Sequence, residues 1–160
     1  MDAQAPLRKE LIELLKGGNA HADFSKSLAD FPSELRGKGP KGAPHSPWEE
    51  LEHMRIAQRD ILEFSRDPNH ESPKWPEGYW PANPEPPDHK AWDSSVNGFC
   101  KDLESLCALV ADESTDLYAR IPHGTGQNLL REALLAADHN AYHLGQLVLL
   151  RRMLGAWNAE

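Results

Sequence analysis

Seven prolines crowd into one stretch, at positions 68, 73, 76, 81, 84, 86 and 87. Each removes a backbone donor and fixes φ, so no helix interior and no central strand can form there. The segment from Asp67 to Pro87 is therefore a long connection, and regular structure must lie on either side of it. It also carries Trp75, Tyr79 and Trp80. A solvated linker would not carry three large rings, because leaving such a side chain in water forfeits roughly 1.5–3 kcal/mol of burial. All three rings are expected to rest on the folded body, either as a plain apolar cover over helix ends or as the wall of a pocket.

The flanking segments read as helices. Ala5 to Lys16 carries Leu7, Leu11, Ile12, Leu14 and Leu15 at helical spacing, with Pro6 in the first turn and Gly17-Gly18-Asn19 as the stop. A short piece from Asp23 to Phe31 follows, closed by Pro32, and Arg36 to His45 is a Gly/Pro loop without a phosphate-binding GxxxxGK[ST] pattern. Ser46-Pro47-Trp48-Glu49 is a capping box with proline in the first helical position, starting a helix that should run to Arg66. Leu51, Met54, Ala57, Ile61, Leu62 and Phe64 form its apolar arc, with His53 at the margin. After the proline segment a helix is expected from Asp88 to Asp112, weakened in its middle by Asn97-Gly98, and a last, strongly apolar one from Gln127 to Gly155. No internal repeat and no strand is evident. The fold class is all-α: a single domain over residues 1–160, built as a four-helix bundle with a long crossover connection between its second and third main helices.

Charge narrows the partners. With 25 acidic residues against 17 Lys and Arg, the chain carries a net −8. The one basic cluster (Arg36, Lys38, Lys41) is small, so nucleic acid is not the expected partner. A membrane span needs about 20 predominantly apolar residues, whereas runs such as Leu147 to Leu150 are far shorter, and the N-terminal stretch alternates apolar and charged residues unlike a signal peptide. Cys100 and Cys107 lie seven residues apart in one helix, roughly 10 Å along its axis and out of disulfide reach. They read as reduced core residues of a cytoplasmic protein, with a reactive thiol as the alternative.

Eight histidines are present, and three of them suggest chemistry. His139 and His143 sit at i, i+4 on a mostly apolar face of the last helix, a spacing that stacks two imidazoles close enough to share one metal ion. Buried side by side, two imidazoles repel when charged and need partners when neutral. A divalent cation satisfies both; hydrogen bonds to neighbouring helices are the alternative. His53, on a different helix, supplies a third imidazole, and three neutral imidazoles make the protein half of a site with open positions. Asn stands in HNAYH where a zincin HExxH has its general base, which argues against peptidase chemistry. His21 and His123 are open questions as further contributors; His45, His70 and His89 are expected to be solvated. Gln146, three residues after His143, is placed to support that ring or to serve as a ligand, and Glu132 to line a pocket.

SPWEELEHMRIAQRDILEFS with its His53, and ADHNAYHLGQLVLLRRMLG with His139 and His143, resemble the DinB family of DinB/YfiT-like metalloenzymes. The order of helices agrees with that family over nearly the whole chain. The resemblance implies a four-helix bundle whose long connection crosses over it, and a divalent metal, nickel or zinc, held by His53, His139 and His143. It also implies a homodimer and, as in characterised relatives, a low-molecular-weight thiol as cosubstrate for a small-molecule substrate. The family name points to DNA-damage induction, for which this acidic chain offers no physical support. The reading that follows is a metal-binding protein acting as a thiol-dependent S-transferase or a metal-dependent hydrolase. The alternative is a non-catalytic stress-response or binding bundle whose metal is structural, which a fourth protein ligand such as His21 would favour.

Overall fold

The computed structural model describes residues 4–157. Five α-helices form: α1 (Ala5–Lys16), α2 (Phe24–Leu28), α3 (Pro47–Arg66), α4 (Ala91–Ala111) and α5 (Leu129–Met153). Single 3-10 turns stand at Ser33–Leu35 and Glu77–Tyr79, and no strand forms among the described residues beyond one isolated bridge between Arg120 and Asn128. No described helix is long and apolar enough to cross a membrane.

The helix ends follow local chemistry. Gly17, at φ 69°, closes α1 by donating to the carbonyls of Glu13 and Leu14. Helix α2 is shorter than its apolar spacing suggests. Asp23 is its cap, and it stops at Leu28 because Asp30 turns to φ 51° and Phe31 precedes a proline, a position that disfavours helix. The capping box of α3 is complete: Ser46 Oγ accepts from the Glu49 N–H at 3.2 Å, and Glu49 accepts from the Ser46 N–H at 2.7 Å. Helix α4 begins at Ala91 rather than Asp88, whose carboxylate instead takes the N–H groups of Lys90 and Ala91. Asn128 caps α5, accepting from the Arg131 N–H.

Asn97-Gly98 does not interrupt α4. The missing side chain at Gly98 gives room to α3, since a Cβ there would lie 3.2 Å from Arg55 Cδ. The contacts across this seam fix its direction. Ser95 donates to Glu52, Gly98 faces Arg55, and Arg59 pairs with Asp102 at 3.0 Å, each three or four residues further along both helices. Helices α3 and α4 are thus parallel neighbours. Helix α5 runs antiparallel to α3, with Glu50 meeting His143 and Gln58 meeting Asn140. Helix α1 packs on α4 and α5, so the bundle reads α1, α4, α3, α5 around its axis.

The core has two parts. One gathers Leu11, Leu15, Leu62, Leu106, Val110, Leu117 and Leu129; the other gathers Phe24, Phe31, Trp48, Met54, Trp92, Phe99 and Leu147. Cys107 is buried and Cys100 half-buried, both as free thiols, and burial pushes both thiols above their ordinary pKa. Between α3 and α4 the proline-rich connection returns along α3 to its start, where Ser46 Oγ donates to the Pro84 carbonyl at 2.5 Å.

Ser46 therefore both caps α3 and anchors the returning chain. Ser46→Ala should lower stability by about 1–2 kcal/mol, read as a lower urea midpoint with an unchanged m-value.

Candidate metal centre

Helix α3 presents His53 two turns after its cap, and α5 presents His139 and His143 one turn apart, facing it. His53 is 2% exposed. Its Nε2 lies 3.0 Å from His139 Nε2 and 3.1 Å from His143 Nε2, and the three ligand atoms lie within 4.8 Å of one another.

The outer nitrogens decide what those short distances mean. His53 Nδ1 is 2.8 Å from the Tyr79 carbonyl, and His143 Nδ1 is 2.7 Å from Glu50 Oε2. A carbonyl and a carboxylate only accept, so both Nδ1 atoms carry the proton and both Nε2 atoms keep a lone pair. Between neutral His53 and His143 there is then no proton at 3.1 Å, and two lone pairs face each other. Metal–nitrogen bonds of about 2.0–2.1 Å at angles between square and tetrahedral put ligand nitrogens roughly 2.9–3.4 Å apart. The donor set fits a divalent cation of imidazole preference, zinc or nickel among them. A carboxylate or a backbone carbonyl behind a ligating imidazole is also the support such ligands ordinarily have.

Electrostatics keeps the rings ready. Burial lowers the His139 pKa to about 4, and the neighbouring His143 and His53 add to the fall; the Asn140 side chain works against it. Burial likewise lowers His53, against the opposing pull of the Tyr79 carbonyl. Neutral imidazole is the form that binds metal, so burial holds the lone pairs available at neutral pH. His139 Nδ1 is itself buried without a well-formed hydrogen bond.

An aromatic stack covers one side. Trp80 lies flat on His53, with centroids 4.0 Å apart and planes 3° from parallel, and His45 stacks on Trp80 at 3.9 Å. Trp80 also meets the His143 ring edge-on at 6.1 Å. Of the three rings expected to rest on the bundle, Trp80 reaches the histidines. Tyr79 reaches them through its carbonyl, while its ring packs beside Trp75 and its hydroxyl turns to Asp60. Trp75 corrects the expectation: it is 68% exposed, with its ring against Tyr79 at 5.6 Å rather than against a helix ring.

The structure brings His53, His139 and His143 together and leaves the other candidates apart. His21 is exposed and bonds to the neighbouring Ala22 carbonyl; His123 bonds to the Phe64 carbonyl near the far end of α3. Gln146 is half-buried and shares a cavity of about 310 Å³ with His45 and Glu50. Glu132 is buried and pairs with Arg131 at 2.7 Å. His45 and His70 are not solvated as their polar surroundings suggested, since one stacks on Trp80 and the other bonds to Asp60 at 2.7 Å; His89 is exposed. Glu50 and the Tyr79 carbonyl went unrecognised in the sequence. Glu50, one turn before His53 and on the helix face toward α5, carried a readable signal; a backbone carbonyl carried none.

Three imidazoles from two antiparallel helices converge inside a helical bundle, a donor set that could hold a metal ion. The sequence pattern of the DinB superfamily matches residues 18–147, and the chain belongs to that superfamily. No curated protein and no solved structure matches the chain significantly.

Two outcomes follow from this geometry. Glu50→Gln removes the charge behind His143 and should weaken zinc binding about 10-fold or more, measured by competition with a chromogenic chelator. His139, with a folded pKa near 4 against an ordinary 6.5, stays neutral where the unfolded chain takes up a proton. Its contribution to apo-protein stability is therefore complete above pH 6.5 and is lost as pH falls toward 4. His139→Gln should flatten the melting-temperature profile in that window.

Proposed function

We propose that the chain holds one divalent ion through His53, His139 and His143 and is a metal-dependent enzyme of small-molecule chemistry, a thiol-dependent S-transferase or a hydrolase. The observation that carries this reading is the meeting of three Nε2 atoms, two of them with lone pairs fixed by partners behind the ring. A bound ion would supply a thiol or water of lowered pKa at that point, ready to attack an electrophile.

This chain's own residues do the positioning. Glu50 holds His143 and the Tyr79 carbonyl holds His53, so neither ring must reorient to bind. Trp80 covers the His53 face and keeps water from it. Three protein ligands leave positions for an exogenous thiol or water, the feature that separates catalytic from structural sites. Neither His21 nor His123 joins the cluster as a fourth ligand, which favours the enzyme over the structural-metal bundle. Two free thiols suit a reducing, cytoplasmic setting.

Elemental analysis of protein purified without chelator should find one nickel or zinc per chain, and the His139→Ala/His143→Ala double variant should find none. Full occupancy in that variant would refute the site. With the ion removed, far-UV circular dichroism should keep its helical signal, because the two apolar clusters need no metal; loss of most of it would transfer the protein to the structural-metal class. A metal-dependent loss of free thiol, in a screen of low-molecular-weight thiols against electrophiles, would identify the transferase.

A further inference from the structure

Asp60 lies seven residues after His53, two turns along the same face of α3 and about 10 Å from it along the axis. It touches none of the three histidines. Its carboxylate instead receives two groups from the proline-rich connection: the Tyr79 hydroxyl on Oδ2 at 2.5 Å, and His70 Nε2 on Oδ1 at 2.7 Å. Tyr79 spans the interval. Its hydroxyl is tied to Asp60 at one end, while its backbone carbonyl accepts from His53 Nδ1 at the other, and the next residue, Trp80, stacks on the His53 ring.

We propose that Asp60 is a positioning residue for the metal centre, acting through Tyr79 to hold the carbonyl that fixes the protonation and orientation of His53. The inference deepens the metal-site reading and rests on it only for its effect on metal affinity.

The physical case is one of over-determination. A backbone carbonyl in a segment without helix or strand has no ladder to hold it in place. Here the same residue's phenol is pinned to a carboxylate on the helix that carries His53, so the carbonyl and the imidazole belong to one rigid unit. Burial and the Asp60 charge raise the Tyr79 pKa, so the hydroxyl stays protonated and donates; a Ser72 contact opposes them only in part. Without Asp60, His53 Nδ1 would lose a fixed acceptor, and with it the contact on the Nδ1 side of the ring that favours the tautomer whose Nε2 lone pair faces His139 and His143. By linkage, an ion on His53 should in turn tighten the docking of the connection on α3.

The test uses the full-length protein with Asp60→Ala, Asp60→Asn, Tyr79→Phe and His70→Ala. The first readout is the His53 tautomer in metal-free protein, from long-range ¹H–¹⁵N correlation; the second is zinc affinity by chelator competition. Asp60→Ala and Tyr79→Phe should each convert the single Nδ1–H signature of His53 to a tautomer mixture and weaken zinc about 10-fold. Asp60→Asn, whose amide oxygen still accepts from the phenol, should recover much of both, and His70→Ala should change neither. If Asp60→Ala fails to fold, Tyr79→Phe decides, since it removes one hydroxyl and keeps the ring. A lower melting temperature with the His53 tautomer unchanged in Tyr79→Phe would show a merely structural contact and overturn the proposal. So would a tautomer change in His70→Ala that Tyr79→Phe does not reproduce. If the wild-type protein takes up no zinc, the metal reading fails, and the tautomer readout still decides the role of Asp60.

Discussion

Because α3 and α4 are parallel neighbours, the chain leaving α3 must travel back along the whole helix before α4 can begin. A helix of 20 residues spans about 30 Å, and residues 67–90 cover that distance as a proline-rich run of turns and bends with one 3-10 turn at Glu77–Tyr79. The return leg is held at its middle by Asp60 and His53 and at its end by Ser46. The site exists where this leg passes α3. An antiparallel bundle joined by short turns would place no segment beside His53, and neither the Tyr79 carbonyl nor the Trp80 ring would be there to meet it.

Burying polar groups in that place has a definite chemical logic. Glu50, 4% exposed, is a charge taken out of water, and its partner is an imidazole N–H rather than a cation. Such a carboxylate is poorly compensated in the metal-free protein. A divalent ion on the far side of His143 would polarise the N–H toward Glu50 and supply the missing positive charge, so carboxylate and ion would support each other through one ring. The neighbouring Gln58–Asn140 bond, 2.7 Å long and fully enclosed, adds polarity beside the centre without adding charge. The apolar clusters on either side are what allow this tolerance. They bury the apolar surface of the bundle on either side and leave the middle free for groups chosen by chemistry rather than by packing.

Much of this was legible in the sequence wherever a rule acts over a few residues. The α3 capping box, the Gly17 stop and the HxxxH face are local patterns, and each appears where the spacing put it. Positions set by side chains acting out of register were not. Asp88 and Gln127 read as helix starts, yet Asp88 spends its carboxylate on a turn and Asn128 is the cap that begins α5. Gly98 reads as a helix breaker, but its role is to admit Arg55 of a neighbouring helix, which no single-helix pattern contains. The three histidines were recoverable because ligand chemistry restricts residue type as well as spacing. Glu50 was harder, since an acid in the first turns of a helix is ordinary and its partner lies 93 residues away.

The aromatic connection shows the same division more sharply. Composition says that Trp75, Tyr79 and Trp80 need company, but it cannot say which of them finds it. Trp80 finds two imidazoles and Tyr79 finds a carboxylate, whereas Trp75 stays largely in water against the Tyr79 ring. The difference lies in the route of the backbone. Once Tyr79 is pinned at both its hydroxyl and its carbonyl, the following residue is delivered over His53, and the one four positions earlier is left on the outer side. Two hydrogen bonds at one residue thus choose which ring covers the histidines. They also tie the fate of the cover to the geometry of the ligand beneath it, so that loosening the connection and misplacing His53 become one event.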